Sequence, residues 1–172
     1  CAFSAWEAEE YVVKQGPPRE FRGEALGDYP AFTVDGVVIK VFLKGSVEGI
    51  HQGKGPYTLH VSAWQVSGHG SSVRLVGLSA KDSAGTEHEL VRGNELPASL
   101  AFKELKLSGT TQTCEWATWS TRRSISASPK KGESVAVSVE VEVERGGKSA
   151  RKALQYNFTA RVRSGKVKWP TV

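Results

Sequence analysis

From Phe32 to the end of the chain, side-chain character alternates with a period of two, the spacing that sends successive residues to opposite faces of a half-buried strand. The clearest run is Ser134–Glu144. Val135, Val137, Val139, Val141 and Val143 fall on one face, and Ser138, Glu140, Glu142 and Glu144 fall on the other. Arg145-Gly146-Gly147-Lys148 then supplies a turn. After it, Leu154, Tyr156, Phe158, Ala160 and Val162 alternate with Gln155, Asn157, Thr159, Arg161 and Arg163, so the two runs predict a hairpin with one apolar and one charged face. Its glutamates can meet Arg151, Lys152, Arg161 or Arg163, according to register.

Further strands are predicted over Thr33–Lys44, Tyr57–Val66, Ser72–Lys81, Glu87–Arg92, Thr111–Arg123 and Lys166–Trp169. Ser83-Ala84-Gly85 supports a tight hairpin, whereas Gly45–Pro56 and Val66–Ser71 read as longer connections. Over Asn94–Gly109, Leu96 and Leu100 suit a brief helical turn, and Leu105 and Leu107 a strand after it. The N-terminus has a different pattern. Ser4-Ala5-Trp6-Glu7 has the spacing of a capping box and predicts a short helix over Ala5–Lys14, stopped by Gly16-Pro17-Pro18. Residues 15–31 then form an extended lead-in. Eight or nine strands without alternating long helices predict an antiparallel β-sandwich, immunoglobulin-like or transthyretin-like, over residues 32–172, with the helix and lead-in in residues 1–31. The absence of a fixed-period repeat excludes a propeller or solenoid.

A chain of 172 residues is long enough for one self-supporting core. No run of eighteen apolar residues occurs, so no helix can span a bilayer. The net charge of +5 is unevenly spread: residues 1–35 carry net −4, residues 36–100 net +1, and residues 101–172 net +8. A basic C-terminal part can attract an acidic protein surface, anionic headgroups or nucleic acid. Of the two cysteines, Cys1 and Cys114, the second reads as a small buried hydrophobe.

Motifs for catalysis fail on their residue types. His88-Glu89-Leu90-Val91-Arg92 has arginine where a zinc helix needs its second histidine, and Gly49–Gly55 is one residue short of a phosphate loop and lacks the hydroxyl after its lysine. Ser128-Pro129-Lys130-Lys131 has a serine–lysine spacing, but its proline and its strand context make it a connection. Four scattered histidines and three aspartates assemble no ligand set and no triad, so neither a metal nor an enzymatic activity is expected. Trp116 and Trp119 lie three apart on a predicted strand and therefore on opposite faces. One belongs to the core, and the other is a candidate partner-binding ring, together with Arg161 and Arg163 of the last hairpin.

The chain opens Cys1-Ala2-Phe3-Ser4 and contains no methionine. This opening resembles the mature end of a bacterial lipoprotein. The resemblance implies a diacylglycerol on the Cys1 thiol and an amine that is often acylated, no other cofactor, and, through Ala2, export to the outer membrane with the domain in the periplasm or at the cell surface. The function it implies is that of a non-catalytic accessory or docking subunit of a multiprotein envelope assembly, such as a secretion system. Alternatives are an immunity or inhibitor lipoprotein that blocks a toxin enzyme, and a carbohydrate- or peptidoglycan-binding module. Nucleic acid is not an expected partner in that compartment.

Overall fold

The computed structural model describes residues 2–13, 16–17, 29–46, 54–106, 113–125 and 133–169. Cys1, the Gly49–Gly53 part of the glycine-rich loop and Ser128–Lys131 lie outside them. Strands are numbered in chain order. Sheet A has the order β1 (Ala2–Val13), β10 (Lys148–Trp169), β9 (Ser134–Arg145), β5 (Ser72–Asp82) and β6 (Glu87–His88). Sheet B has the order β2 (Thr33–Val34), β3 (Val37–Ser46), β4 (Lys54–Val66), β8 (Thr113–Ile125) and β7 (Lys103–Lys106). All pairings are antiparallel, and the sheets pack as the expected sandwich.

The alternation in β9 builds the core. Val135, Val137, Val139, Val141 and Val143 are all buried, and Leu154, Tyr156 and Phe158 of β10 stand opposite three of them. Sheet B answers with Val37, Ile39, Val41 and Leu43 from β3 and Tyr57, Leu59, Val61 and Ala63 from β4. Tyr156 ties the two layers together. Its hydroxyl donates to the Ile39 carbonyl at 2.6 Å. Ile39 lies just beyond the two-residue partner β2, which reaches only Val37 and Val38, so this side chain satisfies an acceptor that the ladder with β2 leaves open. Burial pushes the Tyr156 phenol well above its ordinary pKa, which keeps it a donor.

Four expectations need correction. The predicted N-terminal helix is strand β1, paired with β10 from Ala2↔Trp169 to Val13↔Phe158. A ten-residue helix is marginal even with a good cap, whereas a twelve-residue ladder that also buries Tyr11 satisfies every other backbone group. Thr33–Lys44 is two strands, because Asp35 and Gly36 both have positive φ, +44° and +78°, and form the tight Asp-Gly hairpin turn. Lys166–Trp169 is the end of the 22-residue β10, and only Glu87–His88 of Glu87–Arg92 is strand. Finally, of Asn94–Gly109, the expected strand is present as β7, but the helical turn is not at Leu96 and Leu100: a 3-10 turn covers Gly93–Glu95 and ends at Leu96 in extended backbone, while residues 107–109 lie outside the described ones.

One end of the sandwich is clamped between turns. Arg145 grips Asp35 with two hydrogen bonds, Nε to Oδ2 at 3.1 Å and Nη2 to Oδ1 at 2.9 Å, joining the β9–β10 turn to the β2–β3 turn. His69 Nε2 sits 2.7 Å from the Asp35 carbonyl, and its ring fills the space where a side chain on Gly36 would stand.

Replacing Tyr156 with Phe leaves the Ile39 carbonyl without its donor at unchanged packing. The expected loss is about 1–2 kcal/mol of unfolding free energy, read from a lower urea midpoint at constant m-value. Equal midpoints for Tyr156→Phe and the parent would show that the bond contributes nothing.

Candidate interaction surface

The two outward faces differ in charge chemistry. Register places Arg74, Lys81, Arg151 and Arg161 of sheet A on the same side as Glu140, Glu142 and Glu144, and Arg74–Glu142 at 3.1 Å and Arg151–Glu140 at 3.0 Å are closed ion pairs. Among the described residues that face carries both signs and closes two of its charges with its own carboxylates. The outward face of sheet B consists, row by row, of Val38, Trp64, Trp116 and Lys103; Lys40, Ser62 and Thr118; Phe42, His60 and Ser120; Lys44, Thr58 and Ser124; and Val66, Cys114 and Leu105. Among the described residues these rows carry no carboxylate and three lysines, of which Lys44 and Lys103 are exposed and Lys40 is buried, as are Val38, Ser62, Trp64 and Cys114.

Trp116 is the outward member of the predicted tryptophan pair. It stacks on Trp64 with ring centroids 5.6 Å apart, and Trp64, only 8% exposed, donates its indole N–H to Ser62 Oγ at 2.9 Å. Lys40 Nζ stands 4.9 Å from the centre of the Trp64 ring, a cation over a π-face. Trp119 points the other way and packs, partly buried, against the main core. Next to the tryptophan row, Val66 and Leu105 are the large apolar side chains with most exposure among the described residues, 44% and 38%, and they flank the buried Cys114. The Cys114 thiol donates to the Leu105 carbonyl at 3.4 Å, and burial pushes its pKa up, so it serves as a small apolar filler.

Further along the same face, Phe42 stacks on His60 at 4.8 Å. Thr58 donates its hydroxyl to the Lys44 carbonyl at 3.4 Å. The His60 ring lies between two hydroxyls, with Nε2 at 3.2 Å from Thr58 Oγ1 and Nδ1 at 2.8 Å from Ser120 Oγ.

A cleft of about 760 Å³ lies on the other face, floored by Ser79, Ser138 and Gln155 and walled by His88 and Glu89. Gln155 donates to Ser138 Oγ at 2.9 Å, and His88 Nε2 lies 3.0 Å from Asp82 Oδ2. Asp82 Oδ1 also accepts the amides of Ala84 and Thr86, closing the β5–β6 turn. His88 is thus a turn-holding residue, and Arg92 pairs with Glu89 at 2.7 Å. Among the described residues no group of three or more histidine, cysteine, aspartate and glutamate side chains could hold a metal ion.

The other predicted contact residues are not gathered at Trp116. Arg161 is exposed on β10 of sheet A and stands opposite Glu10 of β1 in the register; Arg163, opposite Ala8, is described in backbone only. The acidic N-terminal strand therefore lies along the basic end of β10. Sequence reasoning missed Lys103, Leu105 and Val66. The available signal was the lack of any acid at alternate positions of β3, β4 and β8. No protein-family model, curated protein or solved structure matches the chain.

The His88 hydrogen bond, followed by the Thr86 amide, holds the Asp82 carboxyl below the usual aspartate range. Folding therefore favours its ionised form. The stability this adds is complete above the ordinary aspartate midpoint and is lost as pH falls through Asp82's own, lower one. Carboxyl-detected NMR should place that midpoint below that of an unfolded aspartate, with the Ala84 and Thr86 amides shifting in step. A midpoint at or above the ordinary value would overturn the assignment.

Proposed function

We propose that this chain is a non-catalytic docking subunit of a bacterial envelope assembly, such as a secretion system, anchored through lipid on Cys1 and gripping its neighbour with the outward face of sheet B. The observation that carries the docking role is the pair of exposed apolar side chains Val66 and Leu105, flanking the buried Cys114 beside the half-buried Trp116, with Lys103 and Thr118 exposed near them and no carboxylate in these rows among the described residues. Interfaces have this composition at their centres, with aromatic anchors and few acids. Trp116 already has one ring face on Trp64, which suits an anchor in a protein pocket better than an open platform for sugar.

The envelope placement rests on the lipoprotein resemblance at Cys1. Its geometry is compatible with the ladder. Ala2 pairs with Trp169 at the end of the β1–β10 ribbon furthest from β9, whose own ladder with β10 stops at Thr159. Acyl chains on Cys1 would hold the sandwich off the bilayer by up to roughly 35 Å, the length of eleven strand residues.

Two measurements test the parts separately. A photo-crosslinking residue at Thr118, on the outward face of sheet B, should capture a partner in native membranes, while one at Ala153 on sheet A should not. Trp116→Ala should reduce that capture by at least about tenfold. Equal capture from Ala153, or no effect of Trp116→Ala, would overturn the docking face. Palmitate should be incorporated when the protein is expressed from its complete gene and lost in Cys1→Ser; unlabelled parent protein would remove the anchor and leave the docking face standing.

A further inference from the structure

β7 is the outermost strand of sheet B, four residues long, with Lys103, Glu104, Leu105 and Lys106 all exposed. No strand pairs with its outer side among the described residues. An edge of this kind offers alternate amide and carbonyl groups to another strand, and its side chains decide which strand is accepted. Leu105 faces outward at the end of the apolar row from Val66 through Cys114, whereas Glu104 and Lys106 face the opposite side.

These side chains are complementary to themselves. When two copies of β7 meet antiparallel with a two-fold axis at Leu105, Leu105 lies against Leu105, and Glu104 lies against Lys106 twice over. The apolar row then runs unbroken across both chains, from one Val66 to the other. Neighbouring registers fail. An axis between Glu104 and Leu105 sets Lys103 against Lys106 and Leu105 against Glu104, and an axis at Glu104 sets two glutamates face to face. Edge lysines ordinarily keep sheet edges apart. Here the one register that neutralises Lys106 is also the one that joins the leucines.

We propose that the protein forms a two-fold dimer through β7, with the axis at Leu105, uniting two copies of sheet B into one ten-stranded sheet. The partner is a second copy of this chain, and the proposal stands whether or not the outward face docks an envelope protein. It goes beyond that reading by assigning the edge of the sheet, not its face.

Charge exchange on the full chain tests it, read by sedimentation velocity from low micromolar to roughly 0.5 mM protein, a range that covers the weak affinity of a short edge contact. Glu104→Lys and Lys106→Glu should each weaken self-association by about tenfold or more, because each replaces two opposite-charge pairs with two like-charge pairs. An equimolar mixture of the two variants should recover the association, since each cross-axis pair then joins a lysine of one variant to a glutamate of the other. The double variant Glu104→Lys/Lys106→Glu should recover it alone. Leu105→Asp should abolish it in every background. A variant that merely unfolded would not be rescued by mixing. A parent that stays monomeric across the range, a dimer indifferent to these changes, or single variants that fail to associate on mixing would each overturn the proposal.

Discussion

The five inward valines of β9 set the register on which the sandwich depends. β9 is paired on both sides, with β10 and with β5, so its alternation dictates which residues of three strands face the core. A slip of one residue would turn Glu140, Glu142 and Glu144 inward and the valines outward, at a cost no local adjustment could offset. Once β9 is fixed, Tyr156 is carried to a place where its hydroxyl reaches Ile39 on the other sheet, and Arg145 to a place where it reaches Asp35. The contacts that join the layers are consequences of that single register.

The period-two pattern made most strands legible in the sequence, along with the β9–β10 hairpin and the buried role of Cys114. Features decided by partners remote in the chain were not legible. Ser4-Ala5-Trp6-Glu7 is a fair local signal for a helix, but residues 2–13 lie against residues 158–169, and no window of sequence contains that ladder. The split at Asp35-Gly36 was readable in principle from the dipeptide, yet Val34, Val37 and Val38 keep the segment apolar on both sides of it and mask it. The tryptophan pair was legible as a contrast and not as an assignment. Spacing puts Trp116 and Trp119 on opposite faces; which face is inward follows from the packing of sheet B on Val135–Val143, known only in the fold.

The arginines of the last hairpin show how a one-dimensional charge count misleads. Residues 101–172 carry net +8, and that count alone would put a basic patch near Arg161 and Arg163. In space, the acidic strand β1 lies along that stretch, and Arg151 and Arg74 are taken by Glu140 and Glu142. The face with an unbalanced sign is the other one. It is modest in charge, with two exposed lysines in its paired rows among the described residues, and its distinction is the removal of acids from an apolar surface, which lowers the desolvation cost of covering it.

Face and edge would reinforce one another. Pairing of β7 across a two-fold axis places two Trp116 residues in one continuous sheet, separated by three strand spacings and about four residues along the strands, roughly 20 Å. A partner with repeated subunits would then meet two anchors held at a fixed separation. The second contact would form at an effective concentration set by the rigid sheet and not by diffusion, so two individually weak patches could give a durable attachment. A four-residue edge suits that role because it is too short to associate strongly on its own. It would pair most readily where a shared partner, or a membrane that restricts both copies to two dimensions, has already brought them together.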